Sequence, residues 1–272
     1  PADPFEEEAS RIQTPKGTPA FLNVLFRAAD QFIVERPIDE TRIGSSIVAG
    51  YPWFADWGRD TMISIPGLCL VTERADVAQN ILTTFSTFLS EGMLPNRFPG
   101  RAQPPEYNTA DASLLYIDAI GRTYSKTRDD AFLVSILPSI DEILDAYTTG
   151  TRHNIGVDRS DGLLSQGAEG LQLTWMDAKV GNTVVTPRRG KAVELNALWY
   201  SAWRWRSFFA TCLHADSTAF DHRAEEVQQS FGKFSDSKHD YLADVIDGDH
   251  GVDFSLRPNQ LFATGCSHPP VT

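Results

Sequence analysis

Apolar residues recur along this chain at helical spacing in six long stretches, separated by loops of unusual length. The first stretch runs over 18–35, with Pro19 at a first helical position, where its missing N–H is no loss. In 74–91, Val77, Ile81, Phe85 and Phe88 follow at steps of four and three, and Gly92 is placed to stop the helix. A third stretch, 109–126, opens with Asn108 or Thr109 as cap. Over 129–147, Phe132, Ile136, Ile140, Ile143 and Tyr147 share a face, and Pro138 predicts a kink. Leu195, Leu198, Ala202, Trp205, Phe209 and Cys212 mark a helix over 191–213. Ala224, Val227, Phe231 and Phe234 mark another over 217–234, and a shorter helix is expected over 61–71.

The loops at 37–60, 92–108, 151–190 and 235–258 are rich in Gly, Pro, Asn and aromatic residues. Loops of this length inside a compact domain usually carry function. Strand-like runs at 46–48, 171–174 and 183–186 sit within them. Helices in series with elaborate loops at alternate junctions suit an all-α toroid of helical hairpins whose loops gather at one end. A helical solenoid would need a repeat of fixed period, and the sequence carries none.

Composition narrows the function. The chain has 272 residues, enough for one large domain or two small ones. Its 24 Lys and Arg against 36 Asp and Glu give a formal charge of −12. A surface of that sign repels nucleic-acid phosphates and anionic lipid, whereas neutral sugars meet no such barrier. Cys69, Cys212 and Cys266 are scattered, which reads as free thiols in a reducing compartment and makes a cytoplasmic location the expectation. No apolar run is long enough to span a membrane. The polar start, 1–17, lacks an initiator Met and reads as a lead-in from a cut or processed chain, followed by one domain over 18–272.

Four loop segments hold the candidate chemistry. In 49–62, Tyr51, Trp53, Phe54 and Trp57 crowd together with Asp56, Arg59 and Asp60. Sugar rings offer apolar CH faces and hydroxyl rims, so a sugar site needs aromatic platforms beside charged hydrogen-bonding groups. An aromatic minicore capped by an Arg–Asp ion pair would give the same composition. In 161–179, Asp177 follows Trp175, and a carboxyl group beside an aromatic wall can act as a general acid; an ordinary solvated Asp is the alternative. In 187–200, Glu194 falls at a helix N-terminus, where the dipole favours an acid in any case. In 247–260, Asp247, Asp249 and Asp253 are spaced loosely like a calcium loop, but the Gly and closing Glu positions do not fit, and a polar turn is the better account. The six histidines are isolated from one another, so zinc and serine-hydrolase readings are weak.

The order of these segments carries more than any one of them. GYPWFADWGRDTMISIPGL (50–68), YNTADASLLYI (107–117), TWMDAKVG (174–181), TPRRGKAVELNALWY (186–200) and SLRPNQLF (255–262) together resemble the C-terminal glucosidase domain of glycogen-debranching enzymes, the amylo-α-1,6-glucosidases. The resemblance implies an (α/α)6 barrel with short strands in its active-site loops, and inverting hydrolysis of α-1,6-linked glucose at the branch points of glycogen or limit dextrin. It implies Asp177 as general acid, with Trp53, Asp56, Trp57, Arg59, Asp60, Asp111, Trp175 and Glu194 binding or shaping the glucose site. No metal or organic cofactor is implied. The family's domain continues past the RPNQ motif and has more helices than the seven predicted here, so the general base is expected beyond Thr272. Another (α/α)6 glycosidase of glucoamylase or trehalase type, or a non-catalytic glucan-binding fragment, remains the alternative.

Overall fold

The computed structural model of the chain describes residues 17–98 and 104–271. The lead-in expected at 1–17 lies, apart from Gly17, outside the described residues. The predicted stretches appear as α1 (Ala20–Gln31), α3 (Ala75–Ser86), α4 (Ala112–Thr127), α5 (Asp130–Thr149), α6 (Val193–Cys212) and α7 (Thr218–Phe231). The shorter one is α2 (Gly58–Ile65), prolonged by a π-helical turn over Pro66–Leu70. A single turn, α8 (Phe262–Gly265), follows near the end. Among the described residues no helix is long and apolar enough to cross a membrane.

Local chemistry sets several boundaries. Asp129 caps α5 by accepting from the Phe132 N–H at 3.0 Å, and the helix runs through Pro138. Thr109 accepts from the Ala112 N–H at 3.3 Å, close to its expected capping role, although the helix proper starts after Asp111. The first helix stops short of the predicted residue 35, because Ile33–Pro37 pair as strand β1 with β2 (Ile43–Gly50). Ile33, Val34 and Ile47 are branched residues that fit a pleated surface better than a helix.

As expected, the fold is mainly helical with short strands, which form four small sheets among the described residues. β1, β2 and β3 (Phe54–Asp56) form an antiparallel meander. β4 (Gly156–Val157) pairs with β5 (Leu164–Ser165), and β6 (Lys179–Val180) with β7 (Thr183–Val184). β8 (Lys191–Ala192), β9 (Val245–Gly248) and β10 (Gly251–Asp253) form the fourth sheet. The run at 46–48 falls on a strand, that at 183–186 does so only over Thr183–Val184, and 171–174 is irregular.

The core lies around α4 and α6, which are buried along most of their length and pack on each other. A helix apolar on nearly all sides belongs in an interior. Trp199, Trp203, Trp205 and Phe209 of α6 are buried in it, and Trp205 donates its indole N–H to Asp118 at 2.9 Å. The two helices approach closely because Gly121 offers no side chain: a Cβ there would stand 2.3 Å from the Trp205 ring. Gly121→Ala is therefore expected to destabilise the fold by about 1–3 kcal/mol, despite the better helix propensity of Ala, as read by the midpoint of denaturant unfolding.

A second buried device anchors the start of α6. The Lys191 ammonium donates to Asp158 at 2.9 Å, Asp161 at 2.8 Å and Asp247 at 2.7 Å, and Lys233 also reaches Asp161 at 2.6 Å. The three carboxylates lie close enough to hold a cation, and the lysine already fills that place. Asp249 pairs with Arg189 and Asp253 with Arg257, so each acid of the calcium-like segment faces a side-chain cation. The Lys191 hydrogen bond holds Asp158 well below the usual carboxylate range. Burial alone would raise Asp161, but Lys191 and Lys233 outweigh it and hold it low as well. Depressed carboxylates contribute stability above their unfolded pKa of about 4 and lose it as pH falls through the folded value. Lys191→Met should thus cost roughly 3 kcal/mol at pH 7, and its deficit should narrow below about pH 4, measured as unfolding midpoints against pH.

Candidate active site

The W-G-R-D segment enters α2 beside another strand of chain. The Gly58 N–H donates to the Asn96 carbonyl at 2.9 Å, and a Cβ at Gly58 would stand 2.1 Å from the Pro95 carbonyl oxygen. Only glycine lets the helix begin there, which puts Arg59 and Asp60 in its first turn. Arg59 points inward and is almost fully buried. Its Nε donates to both carboxylate oxygens of Asp111 at 2.8 Å, and its Nη2 to Thr109 at 3.3 Å. Its Nη1 reaches Asp177 Oδ2 at 3.2 Å. Burial works against the guanidinium charge, but Asp111, Asp177 and Asp60 outweigh it and make Arg59 still harder to deprotonate.

Asp60 opens towards solvent, while burial on its other sides pushes its carboxyl above the usual range, with Arg59 opposing and Asp177 and Asp111 adding to the rise. Asp177 is exposed, on the irregular loop that follows Trp175. That loop is tied down at several points. The Leu173 carbonyl accepts from the Ala110 N–H at 2.7 Å, Thr174 accepts from Arg188 at 3.2 Å, and the Trp175 indole donates to Asn259 at 2.8 Å.

These groups line one cavity of about 470 Å³, together with Ala49, Phe54, Ile63, Leu115, Leu198 and Phe262. Seven of the predicted site residues meet there: Trp57, Arg59, Asp60, Asp111, Trp175, Asp177 and Glu194. The cavity therefore has aromatic walls, an arginine and carboxylates around one space, and its size suits a single sugar ring or two.

Two predicted residues are placed elsewhere. Asp56 is buried away from the cavity lining and forms an ion pair with Arg36, whose guanidinium lies 4.3 Å over the Phe98 ring. It alternates with the exposed Ala55 along β3, and the pleat turns it under the sheet. Trp53 is 83% exposed and outside the cavity lining. Glu194 lines the cavity but is bound by Arg188, with Nη2 to Oε2 at 2.6 Å and a second hydrogen bond alongside. Burial pushes its carboxyl up and Arg188 opposes that rise.

Sequence reasoning passed over the layer behind the cavity. Asp244 is fully enclosed, and accepts from Arg188 Nε at 2.8 Å, from Asn259 at 2.6 Å and from Arg257. Arg257 and Asn259 stood in a motif singled out by its order along the chain, but without a role; Asp244 carried no local signal at all.

The family described as amylo-α-1,6-glucosidase matches residues 27–272. Among characterised proteins, the glycogen debranching enzyme of Saccharomyces cerevisiae is 28% identical over 221 aligned residues, covering 58% of this chain and 14% of the yeast enzyme. Among solved structures, a GH78 family rhamnosidase of Bacillus sp. GL1 is similar in fold, with a TM-score of 0.58 at 18% identity, covering 76% of this chain and 20% of that one. The chain thus spans a small part of the length of both relatives. With the motifs in order, their side chains gathered in one cavity and the family matched along most of the sequence, this chain belongs to the amylo-α-1,6-glucosidase family.

Proposed function

We propose that residues 18–272 form part of an (α/α)6 barrel that hydrolyses the α-1,6-linked glucose at branch points of glycogen-like glucans, with inversion of configuration and with Asp177 as general acid. The observation that carries this reading is the convergence of Asp177, Arg59, Asp60, Asp111, Trp57 and Trp175 on one cavity from three separate segments of the chain. In it, Trp57 and Trp175 take the apolar faces of the glucose, and Arg59 and Asp60 take its hydroxyls. Asp111 acts behind them by holding Arg59 in place.

Asp177 protonates the glycosidic oxygen as the C–O bond breaks. A second carboxylate activates water on the opposite face of the ring, roughly 6.5–9.5 Å from the first in an inverting enzyme. Among the cavity acids, Asp111 is bound through both oxygens by Arg59 and Glu194 by Arg188, so neither is free to take a proton from water. That role falls to a carboxylate outside these pairs.

Asp177→Asn in the full-length protein should lower glucose release from limit dextrin by about 10²- to 10⁴-fold and leave glucan binding nearly unchanged. The first product anomer, read by NMR, should be β-glucose. Release from maltose or trehalose but not from limit dextrin would overturn the debranching assignment. Glucan binding without turnover in the wild type would make the chain a binding module.

A further inference from the structure

Asn259 sits on the turn of 3-10 helix at Pro258–Leu261, with its side chain buried and every polar atom engaged. Its Nδ2 donates to Asp244 Oδ1 at 2.6 Å and approaches Met176 Sδ at 3.4 Å, while its Oδ1 accepts from the Trp175 indole at 2.8 Å. The amide has only one possible orientation. An ionised Asp244 can only accept and an indole N–H can only donate, so the nitrogen must face the one and the oxygen the other. Asp244 is itself fixed, because Arg188 holds both of its oxygens and Arg257 adds a further contact.

Trp175, by contrast, is 43% exposed and stands on a loop without regular secondary structure. Its ring faces the cavity beside Asp177, two residues on. We infer that Asn259 is a positioning residue: it transmits the rigidity of the buried Arg188–Asp244 pair to the Trp175 wall and, through Met176, fixes where Asp177 enters the cavity. The functional half of this inference rests on the glycosidase reading above. Asn259 does not itself line the cavity and acts through Trp175 and Met176.

The test is a double-mutant cycle in the full-length protein with Asn259→Ala, Trp175→Phe and the combination. Phe keeps an aromatic ring in the wall and removes the indole N–H together with the pyrrole half of the ring system. Misplacing a reacting group by about 1 Å can cost on the order of 10²-fold, so each single variant should lower kcat on limit dextrin roughly tenfold or more, with KM little changed. The combination should be no worse than the more impaired of the two single variants. A second measurement needs no turnover. The emission of Trp175, obtained by subtracting the Trp175→Phe spectrum, should shift to the red and quench more readily with acrylamide when Asn259 is Ala.

Independent, multiplying effects on kcat would overturn the inference, as would unchanged Trp175 emission in Asn259→Ala. If the wild type releases no glucose from any α-1,6 substrate, the glycosidase reading fails, while the emission arm still decides whether Asn259 holds the wall.

Discussion

A buried guanidinium must be matched by carboxylates or the fold cannot keep it, and Arg188 is the group on which this requirement falls hardest. It is enclosed with Glu194 on one side and Asp244 on the other, each itself almost inaccessible to water. Removing one member of such a set leaves an uncompensated charge in a medium that solvates it poorly. The three residues come from different parts of the chain: the end of a long loop, the first turn of α6, and the segment that leads into β9. Their pairing therefore fastens those parts together at one depth in the molecule. Lys191, three residues along, repeats the device with Asp158, Asp161 and Asp247.

The same logic reappears at the cavity with a different outcome. Arg59 is buried like Arg188, but one of its partners, Asp177, is exposed. Asp111 provides the permanent pairing, and Asp177 is the acid that remains open to solvent and to a ligand. The contrast separates structural carboxylates from available ones. Glu194 and Asp111 are tied through both oxygens, whereas Asp177 makes a single contact with arginine at 3.2 Å and Asp60 faces the opening. A site that must exchange protons or hydroxyl contacts needs groups of the second kind, held in place by groups of the first.

Helix packing supplies the frame for this arrangement. α4 and α6 carry the core, and the residues that project towards the cavity stand at or near their N-terminal ends: Asp111 before α4, and Glu194 in the first turn of α6. Arg59 and Asp60 occupy the corresponding place on α2. Acids gain from the positive end of a helix, and the loops before these helices are long enough to bring the aromatic residues alongside. The small sheets tie those loops to one another; β8 and β9, for example, join the start of α6 to the segment that carries Asp244.

The amino-acid sequence by itself determined the helices, because apolar residues at steps of three and four state locally which face is buried. It also determined the order of the chemical segments, and so the family. The aromatic and charged character of 49–62 and the Trp175–Asp177 spacing were legible for the same reason. Only the tertiary structure decided which acid meets which base. Arg59 pairs with residues 52 and 118 positions away, and Arg188 with one 56 positions away. No local periodicity encodes such distances. The sequence could not tell that Asp56 would be turned under a sheet to Arg36 while Asp111, less conspicuous in its segment, would hold the cavity arginine. Nor could it show that Asn259 would close the distance to Trp175. Those assignments depend on where helices and loops come to rest in three dimensions, and on the rule that a buried charge must find a partner there.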